Sequence, residues 1–150
     1  MFKWYVSGPI AAPDADGEPP TPGLILRRKA EMNHLCAKLR KQFPSYTIIN
    51  PLEVTACTRE EPFCDAGYAG QADGHDWECY LRYDVRALLL VDSIVMMPGW
   101  ERSPGALLEK EVSQFFTIGA YFWVDGNIKI RPKFMRGRPD FIDEAGWVRR

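Results

Sequence analysis

The sequence predicts an α/β protein in a single domain, built on a doubly wound parallel sheet of four to five strands. Three observations carry this. Short β-rich apolar runs alternate with stretches of helical periodicity, each run stops at a glycine or proline turn, and 150 residues leave room for one full core. Strands separated by helices run parallel through right-handed crossovers and are covered on both faces. The class is flavodoxin-like or Rossmann-like, and its ligands sit beyond the carboxyl ends of the strands, at the switch point between the first and third.

The first strand is the run Phe2 to Val6, ended by Ser7-Gly8-Pro9. Residues 11 to 23 are crowded with Pro, Gly and Asp and read as a loop that packs nothing. From Leu24 to Phe43 the residues Met32, Leu35, Cys36, Leu39 and Phe43 recur at helical spacing, giving an amphipathic first helix. Tyr46 to Ile49 is a second strand closed by Asn50-Pro51, and residues 52 to 74 form a long insert. A second helix spans His75 to Val91 with Leu81, Val85, Leu88 and Leu89 on one face, and a third strand spans Ser93 to Met97. The third helix is expected from Pro104 to about Ile118, packing Leu108, Val112, Phe115 and Phe116 inward, before a fourth strand at Ala120 to Val124. The α/β domain thus covers residues 1 to 126, and 127 to 150 is a locally basic, solvated extension with one edge strand at Ile128 to Ile130.

A formal net charge of −1 provides no global positive field for a nucleic acid polymer or an anionic membrane, so any phosphate must be held locally. No run approaches the ~20 apolar residues of a membrane span, and the amino terminus is too short an apolar run for a signal peptide. The expectation is a cytoplasmic protein whose partner is a small molecule. Cys36, Cys57, Cys64 and Cys79 are expected as reduced thiols. With His75, the last three could hold zinc, but gaps of six, ten and three residues match no compact paired-ligand pattern. The expectation is therefore no metal and no cofactor.

Ser103-Pro104-Gly105 has the grammar of a helix start: a capping hydroxyl, proline at the first helical position, then a residue without a side chain. Free backbone N–H groups there suit an anion, and Gly105 would let a sugar or phosphate approach the backbone. Glu109, four residues after Gly105, shares that face of the helix. Asp84 lies at the border of the second helix's apolar stripe. If the two carboxylates meet, like-charge repulsion raises one pKa, leaving an ionised nucleophile beside a protonated acid, as glycosidic bond cleavage requires. Trp77, Tyr80, Tyr83 and Trp100 are candidates for a wall on which a base stacks.

Several short motifs occur in one order: Tyr5-Val6-Ser7-Gly8-Pro9-Ile10, Ile49-Asn50-Pro51, Trp77 with Tyr80-Leu81 and Asp84, Asp92-Ser93-Ile94, and Pro98-Gly99-Trp100-Glu101 with Ser103, Gly105, Ala106 and Glu109. Together they resemble the nucleoside 2-deoxyribosyltransferase-like superfamily, in particular its phage and bacterial branch with a Tyr-x-Ser-Gly-Pro start. The resemblance spans about residues 4 to 120.

It implies that Glu109 is the nucleophile, Asp84 the carboxylate that assists the leaving base, and Tyr5 the residue that orients the nucleophile. Ser7, Gly8, Pro9, Ile10, Trp77, Gly99, Trp100, Ser103 and Gly105 would then bind substrate. Ser103 stands where the transferases carry an acidic residue, which points toward relatives that hydrolyse 2′-deoxynucleoside 5′-monophosphates. Pro9, Ile10 and Ala11 depart from the serine and arginine that those hydrolases carry, and Arg27 or Arg28 is the candidate substitute at the phosphate. The expected activity is hydrolysis of the N-glycosidic bond of a (deoxy)nucleoside 5′-monophosphate. The alternatives are base exchange by a deoxyribosyltransferase, a non-catalytic nucleotide sensor, and a zinc-stabilised interaction domain. The resemblance also implies a homodimer or higher homo-oligomer.

Overall fold

The computed structural model describes residues 2–116 and 118–130. Five strands, β1 (Lys3–Ser7), β2 (Thr47–Ile49), β3 (Ser93–Met96), β4 (Gly119–Val124) and β5 (Asn127–Ile130), form one sheet in the order β2-β1-β3-β4-β5. The first four pair in parallel, with Tyr5 opposite Ile49 on one side and Ile94 on the other. β5 is antiparallel to β4 across Asp125 and Gly126, both at positive φ (49° and 79°), the backbone twist that a two-residue hairpin turn needs. This is the mixed α/β, mostly parallel sheet of the expected class. Of the anticipated basic extension, residues 131–150 lie outside the described residues.

Four α-helices accompany the sheet: α1 (Pro22–Gln42), α2 (Asp65–Tyr68), α3 (Trp77–Leu88) and α4 (Pro104–Phe115). Alternation along the strands decides which helix meets which face. Trp4, Val6, Val95 and Met97 pack with Met32, Leu35, Cys36 and Leu39 of α1. Tyr5, Ile94 and Met96 point the other way, toward Leu88 of α3 and Ala106 of α4. Tyr5 is thereby aimed at α4 by strand geometry alone.

Three expectations are corrected. Residues 11 to 23 do not form an unpacked loop: Ala12 is fully buried, and the buried Arg28 of α1 donates to the carbonyls of Ile10, Ala12 and Pro13. Nor do Leu108, Phe115 and Phe116 face inward, with Phe115 and Phe116 being 80% and 62% exposed. The buried stripe of α4 is Ala106, Glu109 and Ser113. Leu108 and Phe115 lie on the opposite face of the helix, which ends before Phe116. Similarly α3 stops at Leu88, so Leu89 is exposed. No helix among the described residues is long and apolar enough to cross a membrane.

Candidate active site

A cavity of about 350 Å³ opens beyond the carboxyl ends of the strands, where the order reverses between β1 and β3. Gly8 and Ile10 after β1, Leu52 and Val54 after β2, Trp77, Tyr80, Leu81 and Asp84 of α3, and Ser103, Gly105 and Glu109 at the start of α4 line it. The turns that follow β1, β2 and β3 thus make part of the wall, α3 and α4 another part, and Lys29 and Met32 of α1 the rest.

At the start of α4, Ser103 Oγ accepts from Ala106 N over 3.2 Å and Pro104 occupies the first helical turn. The cap consumes a lone pair of the hydroxyl but leaves its proton free to donate. A Cβ placed on Gly105 would meet nothing nearer than Leu81 Cδ1 at 3.9 Å. Protein packing therefore does not demand glycine there; its absent side chain leaves room beside the helix start. Gly8 differs, since a Cβ there would lie 2.8 Å from Met97 Sδ and 3.0 Å from Met32 Cε.

Glu109 faces the sheet one turn below this start and is 7% exposed. Tyr5 Oη donates to its Oε1 over 3.4 Å, long for an O–H···O bond, while Oε2 and the buried Ser7 Oγ lack hydrogen-bond partners. Burial raises the Glu109 pKa to about 8; the nearby Asp84 charge adds to the rise, and the Ser7 and Tyr5 hydroxyls oppose it. Proximity to Ser7 thus favours the carboxylate, although Ser7 Oγ completes no bond of good geometry. Asp84, half-buried in the cavity wall, is raised by burial to about 7. Tyr5 is pushed well above its ordinary value of 10.0, chiefly by burial and then by the two carboxylates, so it remains a donor.

Burial thus moves both carboxyls toward neutral pH against the hydroxyls that favour the Glu109 carboxylate, and because the Asp84 charge acts on Glu109 their titration belongs to the pair.

Other predicted residues are placed elsewhere. Ser7 lies beneath the cavity beside Glu109, not in its wall. Pro9 and Gly99 pack against each other, with Gly99 at φ 86° and its would-be Cβ 3.3 Å from Pro9 Cγ. Trp100 is buried in the core, its ring centroid 5.8 Å from that of Phe122. Tyr83 turns toward the insert and donates to the Glu61 carbonyl over 3.2 Å. Of the aromatic candidates, Trp77 and Tyr80 reach the cavity. Neither proposed arginine does: Arg28 is committed to three loop carbonyls, and Arg27 is exposed and 4.0 Å from Glu31. Lys29, the next residue, lines the cavity instead. Lys29 lies three residues before Met32, which also reaches the cavity, but Arg28 lies four before it, so helical spacing did not separate the two.

The insert brings together a second group. Cys57, Cys64, His75 and Cys79 offer ligand atoms that all lie within 4.8 Å of one another. This juxtaposition runs against the expectation of no metal, which rested on sequence spacing.

Residues 36–120 match the model of a family described as a domain of unknown function, DUF4406. No curated protein matches the chain significantly. Among solved structures it resembles a conserved protein from Enterococcus faecalis V583, at 18% identity over 83% of this chain and 65% of that one, with a TM-score of 0.50. The solution structure of BlsM is similar at 18% identity over 78% of this chain and 61% of that one, with a TM-score of 0.44. The chain therefore spans less than two thirds of the length of either. At such identity the Enterococcus likeness shows the fold alone. The family model covers more than half of the sequence, and the chain belongs to the DUF4406 family.

Proposed function

We propose that this protein cleaves the N-glycosidic bond of a (deoxy)nucleoside 5′-monophosphate and releases the free base. The observation that carries the reading is the buried Glu109 carboxyl, one oxygen unpartnered, sharing a cavity with a second carboxyl whose pKa also lies near neutrality. An unpaired buried carboxyl is costly to the fold, and such groups cluster where chemistry uses them.

In the proposed reaction a Glu109 oxygen attacks the anomeric carbon, the C–N bond breaks, and its electron pair leaves with the base as Asp84 delivers a proton. Water then attacks the glycosyl ester, Asp84 takes back a proton, and Glu109 is released. The productive state has the proton on Asp84 and the charge on Glu109, an arrangement that the Ser7 and Tyr5 hydroxyls favour. Tyr5 orients Glu109. Trp77 and Tyr80 stack on the base, while Ser103, the Gly105 N–H and Lys29 receive the phosphate.

Incubation of the pure protein with nucleosides and their 5′-monophosphates, followed by chromatography, tests this. Free base from a monophosphate, lost in Glu109→Gln, is expected. A new nucleoside formed only with an acceptor base would reassign the reaction to transfer. Thermal stabilisation by a nucleotide without any product would make the protein a sensor.

A further inference from the structure

The insert and the start of α3 bring together four metal-ligating side chains apart from the carboxylates of the cavity. His75 Nδ1 lies 3.3 Å from Cys57 Sγ, 3.0 Å from Cys64 Sγ and 3.5 Å from Cys79 Sγ, and the first two sulfurs are 3.5 Å apart. A zinc ion with bonds of ~2.3 Å to sulfur and ~2.05 Å to nitrogen sets tetrahedral edges of ~3.8 Å between sulfurs and ~3.6 Å between sulfur and nitrogen. These separations fall ~0.1–0.6 Å short of those edges, and all four ligand atoms lie within 4.8 Å of one another, so the cluster is close to the size that zinc requires. All of these thiols are unbridged.

We propose that Cys57, Cys64, His75 and Cys79 bind a structural zinc ion that staples the insert to the start of α3. The surroundings support the histidine as a ligand. Its other nitrogen, Nε2, is 3.1 Å from the Gln71 carbonyl, which fixes the proton there and turns the Nδ1 lone pair toward the sulfurs. The sulfurs are also served: backbone N–H groups of Ala66 and Gly67 reach Cys64, and those of Phe63 and Cys64 reach Cys57. Gly67 is part of the cradle, because a Cβ there would stand 2.3 Å from Cys57 Sγ.

A zinc ion also accounts for how the segment is ordered. Its own core consists of Ala56, Cys57 and Cys79 with Cys64 and Tyr83 packed against them, too little apolar surface to hold some twenty residues in place. Three thiolates and an imidazole complete a closed tetrahedral shell, and soft sulfur donors select zinc over magnesium or calcium. His75 and Cys79 flank Asp76, which caps α3 by accepting from Cys79 N over 2.7 Å. The His75 ring meets Tyr80 edge-on at 5.7 Å. The ion would thereby hold the helix that carries Trp77, Tyr80 and Asp84 into the cavity wall.

Metal analysis of the full chain, purified under reducing conditions without chelator, tests the site. Close to one zinc per chain is expected, retained in Cys36→Ala and lost in Cys64→Ser. Because the latter variant could fail to fold, the unaltered chain is also stripped with chelator and titrated with cobalt. Visible absorption of tetrahedral cobalt bound to thiolate, saturating at one equivalent and abolished by zinc, supports the proposal. It is overturned if neither metal binds, if a Cys57–Cys64 disulfide forms in place of metal, or if the purified protein carries iron and sulfide.

Discussion

Tyr5, in the middle of β1, hydrogen-bonds through its hydroxyl to Oε1 of Glu109 on α4, 104 residues away in sequence. The contact joins an inner strand to the buried stripe of the helix beside the cavity, and it opposes the rise that burial imposes on the Glu109 pKa. Tyr5→Phe should therefore raise that pKa further. We expect turnover to fall about tenfold and the acid limb of the rate profile to move to higher pH, as measured by kcat/KM across pH 5 to 9.

Asp84→Asn removes both the proposed proton donor and the nearby charge that raises Glu109. Cleavage of ordinary substrates should drop by about 10²- to 10⁴-fold. The remaining activity should keep an acid limb shifted to lower pH and lose its basic limb. A substrate whose base is already cationic, such as a 7-methylated purine nucleotide, should be spared much of the loss. Equal losses on both substrates would deny Asp84 the role of acid.

Stability should depend on pH through the same carboxyls. Glu109 rises from an ordinary 4.5 to about 8 and Asp84 from 3.8 to about 7, so the folded state binds protons more tightly than the unfolded chain. Their contribution is fully present below about pH 4 and is lost as pH rises through 7 and 8. The melting temperature of the parent should fall between pH 6 and 9, and Glu109→Gln should flatten that fall by on the order of a few kcal/mol. Parallel melting profiles for the two proteins would contradict the buried assignment.

Lys29 and Arg28 are adjacent cations with opposite expected phenotypes. Lys29→Ala should raise KM for a 5′-monophosphate about tenfold, leave KM for the nucleoside unchanged, and barely move the melting temperature. Arg28→Ala should destabilise the fold by about 2–4 kcal/mol in denaturant unfolding, because it releases the carbonyls of Ile10, Ala12 and Pro13 and opens a buried space.

Periodicity and punctuation determined much of this protein. The apolar, β-rich run at β1, the helical spacing of Met32, Leu35, Cys36 and Leu39, and the Ser103-Pro104-Gly105 start all correspond to observed elements, because each is specified by neighbours in the chain. The switch-point location of the cavity also followed from the order of elements. The face of α4 did not. Its apolar residues lie on both sides, and the side that packs carries Ala106, Glu109 and Ser113, a pattern with no hydrophobic signature. Lys29 could be separated from Arg27 and Arg28 only once the loop had folded back onto α1. The shift of Glu109 and Asp84 toward neutral pH likewise depends on burial, which no one-dimensional spacing encodes. The same is true of Cys57, Cys64, His75 and Cys79: their gaps fit no compact motif, and they converge because α2 and the start of α3 turn the insert back on itself. Local order is written in short-range sterics and patterning; convergence of distant polar groups is decided by how the chain closes around them.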